Sequence, residues 1–594
     1  MAFGVCVALL FAFLAQGWGF IRANSQSHDE AVHLTAGYSY LATHDFRLNP
    51  EHPPLLKELA ALPIYLRYHL PFKPATHLWG QSTAEAEKWA ISRDFLYHSS
   101  VPYDDLLTLG RLPGLLLGAL LVSLVGWWSY RLWGPGAAVL GMALAAFEPN
   151  LVTNACLITT DMGSALFIFL AMYLFWEYGN SRRALLLVGA GVATGLALAS
   201  KLTGVLLFGM GGVILAAHVL LHRSPLFPPA KEGTGPARVV RLKQASLIAL
   251  VVAVLAAVTI LPPYFFQGWE RWWYGFRWQT TKGAFGHHAF FLGEYSDKGW
   301  LLYFPVAFLI KTPVPSLLLI AASLLLFRAG RPLRLREALF LLVPVGIFLA
   351  LMIPAKINIG VRYLTPIYPF LFVCAARLAT LSFPRPWLAP VLLGVPVLLT
   401  AVSSLRQAPH QLAYFNELIG GPDHGDRYLA DTNIDWGQDL KGLREYILDE
   451  RLDVVYLSYF GTAPAEEYGI RYQELPSFGA VDWPAHPVGG MPREEPRKLL
   501  AVSVTNLQGA YLGEPGPYAF FYRERSPLAK IGYSIWIYDL THDAEGQYHL
   551  LQAYRYAAER ERKLAAEYRK KGADETAALH EQLAHQWDEV IREE

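Results

Sequence analysis

The chain has 594 residues, 53% of them hydrophobic and 17% charged, with 17 tryptophans, a net charge of +1 and a mean hydropathy of +0.26. That balance excludes an ordinary water-soluble protein and places much of the chain in lipid. The near-neutral charge, without a basic stripe bearing interleaved aromatics, leaves no case for nucleic acid, and the scattered Cys6, Cys156 and Cys374 imply neither a disulfide framework nor a cysteine metal cluster.

Apolar runs near bilayer-spanning length lie at 3–21, 107–130, 135–149, 162–179, 183–200, 202–222, 244–264, 299–327, 337–354, 361–381 and 385–405. They predict about eleven spans. The first lacks a basic n-region and carries Trp18 as an interfacial anchor, so it is expected to stay as a span rather than be cleaved as a signal peptide, although Ala23 and Ser25 are small. Alternate loops hold Arg131, Arg182-Arg183, Arg238 to Lys243 and Arg328 to Arg336, which makes that side cytoplasmic. The N-terminus is then inside, and loops 22–106, 150–161, 265–298 and 355–360, with everything after 406, are outside.

Loop 22–106 is too long for a plain connector and predicts surface helices at 29–42 and 83–97, interrupted by Asn49-Pro50 and Pro53-Pro54. Ser27 followed by Glu30 forms an S-x-x-E capping-box pattern at the start of the first. Past the last span, a small α/β domain is expected over 406–548, with strands at 454–459, 499–504 and 534–538 and a helix at 437–449. The charged tail 549–594 reads as a helical hairpin or a frayed end.

Asp29 is the leading candidate for chemistry, since a carboxylate at the membrane surface can take a proton from an acceptor hydroxyl as a bond to a sugar forms. A phosphate leaving group departs as a weakly basic anion, so no second carboxyl is needed as acid. The alternative is a helix-start acid favoured by the macrodipole, and the same pair of readings holds for Asp161 at the outer start of a span. Glu51, His52 and Lys57 follow a turn and fit a lipid-phosphate contact, against a snorkelling lysine and an exposed histidine. Arg111, Lys201, Lys282, Lys311, Lys356 and Arg362 sit near the outer surface, several in apolar sequence where a charge needs a partner or a wet cavity. Arg362, beside Tyr363, is the best of them for a phosphate.

His287-His288 lie in an outer loop with Trp269, Trp272, Trp273, Trp278 and Phe285, read as an interfacial anchor or a lid over a lipid donor. Asp431, Asp435 and Asp439 lack the glycine and glutamate of a calcium loop, because its sixth and twelfth positions hold Trp436 and Gly442. Turn and cap roles or acceptor binding remain for them.

With these residues in place, residues 1–405 resemble the polyprenyl-phosphate-sugar-dependent glycosyltransferases of the GT-C superfamily, the family 39 group that includes protein O-mannosyltransferases and lipid A aminoarabinose transferases. The matching signs are Asp29-Glu30 after the first span, Glu51-His52-Pro53-Pro54, Thr160-Asp161, and Gly195 through Lys201. The resemblance implies a mainly α, polytopic GT-C bundle with a C-terminal soluble α/β domain, Asp29 as catalytic base, Asp161 as a second acid, and the 51–57 loop on the donor phosphate. His52 stands where a lysine often follows the glutamate, which shifts the donor contact to Lys57 or the distal cations. Members act outside the cytoplasm and usually invert the sugar's configuration. The implied partners are a polyprenyl-phosphate-linked sugar, an unspecified acceptor and the bilayer. No cofactor is implied, and a divalent metal would require Asp161 to meet other carboxylates. The rivals are a lipid-linked-sugar flippase, disfavoured by the absence of an internal repeat, and a noncatalytic scaffold.

Overall fold

The computed structural model describes residues 1–74, 79, 85–221, 237–478, 497–514 and 516–593. Every apolar run in the sequence is helical within these residues. Among the described residues, eight helices are long and apolar enough to cross a bilayer: Ala2–Ala23, Tyr103–Trp133, Asp161–Ser181, Leu202–Leu220, Arg238–Tyr264, Leu335–Met352, Val361–Thr380 and Pro390–Gln407. Two further runs break at prolines. Pro135–Ala146 and Pro149–Ala155 meet at 66°, and Tyr303–Lys311 and Val314–Leu325 meet at 114° after Thr312-Pro313, because proline cannot continue the helical hydrogen-bond ladder. Ala184–Ser200 is a shorter apolar helix. The expected run of eleven spans thus corresponds, among the described residues, to eight long helices, two bent pairs and one short helix.

Polar groups within the bundle are spent on holding helices together. In α1 (Ala2–Ala23), Gln16 donates to the Ala146 carbonyl at 3.1 Å and accepts from Ser404 at 2.9 Å, tying the first helix to two others. The basic loops gather at one end, where Arg131 pairs with Glu177 at 2.9 Å and Arg336 donates to the Trp176 carbonyl at 2.6 Å. Asp29, Asp161, Lys201 and Arg362 collect at the other end.

Beyond α1 the chain forms α2 (Glu30–Thr43) and α3 (Leu55–Tyr68), which pack side by side. Their approach depends on Gly37, where an added Cβ would run into the Lys57 carbonyl. Gly37→Ala is therefore expected to destabilise by about 1–3 kcal/mol, seen as a lowered thermal midpoint in detergent. The second predicted surface helix runs Glu85–Tyr97, and residues 83–84 lie outside the described residues.

A hairpin of β1 (Ala289–Phe291) and β2 (Glu294–Ser296) turns at Leu292 and Gly293, both at positive φ as the tight hairpin turn requires. The C-terminal domain carries a five-stranded sheet of β3 (Val455–Ser458), β4 (Tyr472–Glu474), β5 (Leu499–Ser503), β6 (Ala529–Ile531) and β7 (Ile535–Asp539) in the order β4-β3-β5-β7-β6. Strand β3 runs parallel to β4 and β5, while β7 is antiparallel to both β5 and β6. The predicted strands are β3, β5 and β7. The edge strands β4 and β6, three residues each, are too short to leave a periodic signal. The tail is a helical hairpin, Ala544–Lys570 and Asp574–Glu593, closed by Tyr554 against Trp587 and by a buried His580–Glu561 pair at 2.6 Å.

Candidate active site

The chain leaves α1 at Asn24 in an extended stretch that docks on the C-terminal domain. Ser25 N–H donates to the Gln438 carbonyl at 2.8 Å, His28 N–H to the Trp436 carbonyl at 2.9 Å, and the Thr462 hydroxyl to the His28 carbonyl at 2.7 Å. Helix α2 then begins at Glu30. Half of the capping box forms: the Glu30 carboxylate accepts from Ser27 N–H at 2.8 Å, while the Ser27 hydroxyl makes no hydrogen bond.

Glu30 is fully buried and takes a two-point pair from Arg111, Nε to Oε1 at 2.9 Å and Nη2 to Oε2 at 2.6 Å. It also accepts from Ile158 N–H at 3.0 Å, and Arg111 spends its other protons on the carbonyls of Ile21, Asn24 and Ser25. Every donor bond that Arg111 makes is internal, so it braces the exit of α1 and does not reach a substrate.

Asp29 occupies the N-cap position of α2 and makes no capping hydrogen bond. Its carboxylate, 32% exposed, opens onto a cavity of roughly 870 Å³ between one end of the bundle and the C-terminal domain. Burial in the cavity wall opposes its charge, but the Arg362 guanidinium leads the neighbours that outweigh it and lower its pKa to about 2. Arg362 Nη1 lies 3.7 Å from Asp29 and 3.8 Å from Asp161, and its guanidinium stacks 4.2 Å from the Trp436 ring. Asp161, first residue of its helix, likewise caps nothing and pairs with Lys201 Nζ at 2.5 Å. Lys201 in turn sits over the Tyr363 ring at 4.8 Å.

The cavity therefore brings together Asp29, Asp161, Glu51, His52, Lys201, Arg362 and Tyr363 of the expected residues, with Lys282 and Lys356 near its mouth. Three expected residues lie elsewhere. Lys57 is buried and donates to the Tyr40 hydroxyl, both oxygens of Asn49 and the His52 carbonyl at 2.7–3.1 Å, which pins the 49–52 turn. Lys311 is spent on the carbonyls of Leu412 and Asn433 at 2.8 and 2.5 Å. Arg111 is bound as described. In all three at least half of the hydrogen bonds from the charged group go to main-chain oxygens. His52 is not a cation either, because burial, reinforced by His33 and Lys57, holds its pKa well below the usual imidazole value. The lysine that accompanies Glu51 is Lys88, paired at 2.9 Å.

Lys57→Met should leave the cavity's charges in place but free the 49–52 turn. The expected result is a lowered thermal midpoint with donor affinity reduced less than in an Arg362 variant, read by melting and lipid-binding measurements on the same preparations.

Sequence reasoning missed Lys88, His28, His33 and the aromatic roof. His33 Nδ1 bonds the Ile158 carbonyl at 2.8 Å, and the roof is built from Phe460, Phe478 and Tyr511 of the C-terminal domain. The helix Glu270–Phe285 lies against the 49–52 turn with Trp269, Trp273 and Phe285 exposed, while Trp278 and His287 line the cavity. Among the described residues, no three histidine, cysteine or acidic side chains converge on a metal position.

The structure is thus a polytopic helical bundle whose one end carries paired acids and cations under an α/β domain. The family model described as Dolichyl-phosphate-mannose-protein mannosyltransferase matches residues 6–270 of the chain. Its fold is similar to that of ArnT from Cupriavidus metallidurans bound to undecaprenyl phosphate, with 16% identity and a TM-score of 0.45, covering 91% of this chain and 99% of that one. It is also similar to the apo oligosaccharyltransferase of Archaeoglobus fulgidus, with 12% identity and a TM-score of 0.41, covering 68% and 56% of the two chains. No curated protein matches the sequence.

Proposed function

We propose that the protein transfers a sugar from a polyprenyl monophosphate to an acceptor hydroxyl outside the cytoplasm, by single displacement with inversion, with Asp29 as base. The observation that carries this is the uncapped Asp29 carboxylate, open to the cavity and 3.7 Å from Arg362. Arg362 and Lys201 would hold the phosphate, Tyr363 would flank it, and the acceptor would enter beneath the C-terminal domain. The gathering of Arg131, Arg336 and their neighbours at the opposite end supports a cavity facing outward. Polar groups at the end of the bundle rather than its middle support transfer over transport.

Arg362 is flanked by Asp29 and Asp161, which offset its charge. An arriving phosphate competes for that guanidinium and offsets its field at Asp29. The carboxylate becomes a stronger base at the moment the donor is in place. Most of the rate would come from positioning and from stabilising the departing phosphate.

Transfer from membrane-incorporated donors tests the reading, with the labelled product identifying the acceptor. Arg362→Ala should weaken binding of polyprenyl phosphate about 10- to 100-fold, the value of one or two charge-assisted hydrogen bonds, measured in nanodiscs. The pH dependence has a definite sign. A carboxyl at about 2 loses its charge only as pH falls through that value, so kcat/KM for the donor should show no acid limb from Asp29 between pH 8 and pH 5. A fall in that window would move the base to an imidazole such as His33.

A further inference from the structure

One wall of the cavity is not used by the phosphate or the base. Phe460 and Tyr511 stack at 5.6 Å and 9°, Phe478 lies 4.5 Å from Tyr511, and the His28 ring continues the surface 5.8 Å from Phe460. All four line the cavity. At the edge of this aromatic wall stands Asp431, whose carboxylate accepts from the Tyr511 hydroxyl on one oxygen and from Thr432 N–H at 2.6 Å on the other. A carboxylate has about four acceptor positions, so each oxygen keeps a lone pair.

The position of Asp431 relative to the phosphate cations is fixed by bonds between the two segments. Thr432 Oγ1 donates to the Ile359 carbonyl at 2.5 Å, and Val361 N–H donates to Asn433 Oδ1 at 2.9 Å. Trp436, from the same turn, stacks on Arg362, and Asp431 is the third carboxylate in the electrostatic surroundings of that guanidinium, after Asp161 and Asp29. A group bonded directly to a phosphate held by Arg362 is therefore carried to Asp431 and the aromatic wall. An apolar face with a few fixed polar acceptors at its rim suits a ring with hydroxyls at its edge and C–H groups on its faces.

We propose that the C-terminal domain contributes the subsite for the transferred sugar, with Asp431 accepting from ring hydroxyls and Phe460, Phe478 and Tyr511 packing on the ring. This rests on the donor reading given above. It makes Asp431 a specificity-determining residue, because a site built to bond a hydroxyl discriminates strongly against a sugar that lacks it.

The test uses the full chain in lipid nanodiscs and compares binding of bare polyprenyl phosphate with polyprenyl-phosphate mannose, glucose and arabinose. At least one sugar-bearing lipid should bind the wild type tenfold more tightly than the bare lipid. Asp431→Asn keeps a residue type that tolerates the left-handed backbone found there, φ 57°. It should reduce that preference at least fivefold while bare-lipid affinity stays within twofold. Tyr511→Phe keeps the ring and should give a smaller reduction. The subsite is overturned if no sugar-bearing lipid is preferred, if Asp431→Asn keeps the full preference, or if it loses bare-lipid affinity to the same degree. Failure of the wild type to bind bare polyprenyl phosphate at all would instead overturn the donor reading, and the subsite with it.

Discussion

Asp29→Asn should lower sugar transfer by about 10²- to 10⁴-fold, the usual contribution of a positioned proton acceptor, with the protein folded as before. The substitution is isosteric, and the lost carboxylate supports no cap and no neighbouring backbone group. It also removes one of the two carboxylates within 4 Å of Arg362. Binding of polyprenyl phosphate should accordingly be unchanged or a few-fold tighter while turnover collapses. Parallel measurement of lipid affinity and of labelled-sugar transfer checks both halves. Equal transfer by both proteins would make Asp29 structural and send the search for the base to His33.

Glu30→Gln, one residue on, should fail in the opposite manner. Arg111 would keep its charge in a site where it is 1% exposed and lose its counter-ion. Removing one partner of a buried ion pair costs about 3–5 kcal/mol, enough to cut the yield of folded protein and lower its thermal midpoint sharply. Replacing both partners by apolar residues should recover only part of the loss. The carbonyls of Ile21, Asn24 and Ser25 would still lack the donors that Arg111 gives them. Size-exclusion profiles and melting of Glu30→Gln beside Asp29→Asn separate the roles of two adjacent acids: one set of chemistry, one set of architecture. A stable, monodisperse Glu30→Gln protein would show that the pair contributes little to folding.

The membrane segments were legible because crossing a bilayer demands a length and a composition that survive any detail of packing. Two of the cavity's acids were legible for a related reason: Asp29 and Asp161 sit where an apolar helix meets water, and a carboxylate there invites a use. What the sequence could not separate was a charge that faces the cavity from a charge spent on the backbone. Lys57, Arg111 and Lys311 sit in apolar surroundings like Lys201 and Arg362, but their partners are mainly carbonyl oxygens, which every residue possesses and no pattern advertises. The aromatic wall was illegible because His28 and Phe460 are 432 positions apart (460 − 28) and meet only through tertiary folding. The acids at 431–439 divide in the same way. Asp431 faces the cavity, while Asp439 accepts from Ser534 at 2.7 Å inside the C-terminal domain.

The strand-like pairing of residues 25–28 with 436–438 has a consequence for how the protein comes to be made. The segment that carries Asp29 is held by main chain synthesised some four hundred residues later. A nascent chain that has not reached residue 436 leaves that carboxylate on an untethered stretch. The geometry at Asp29 is complete only once residues 436–438 have been made and have folded back onto residues 25–28.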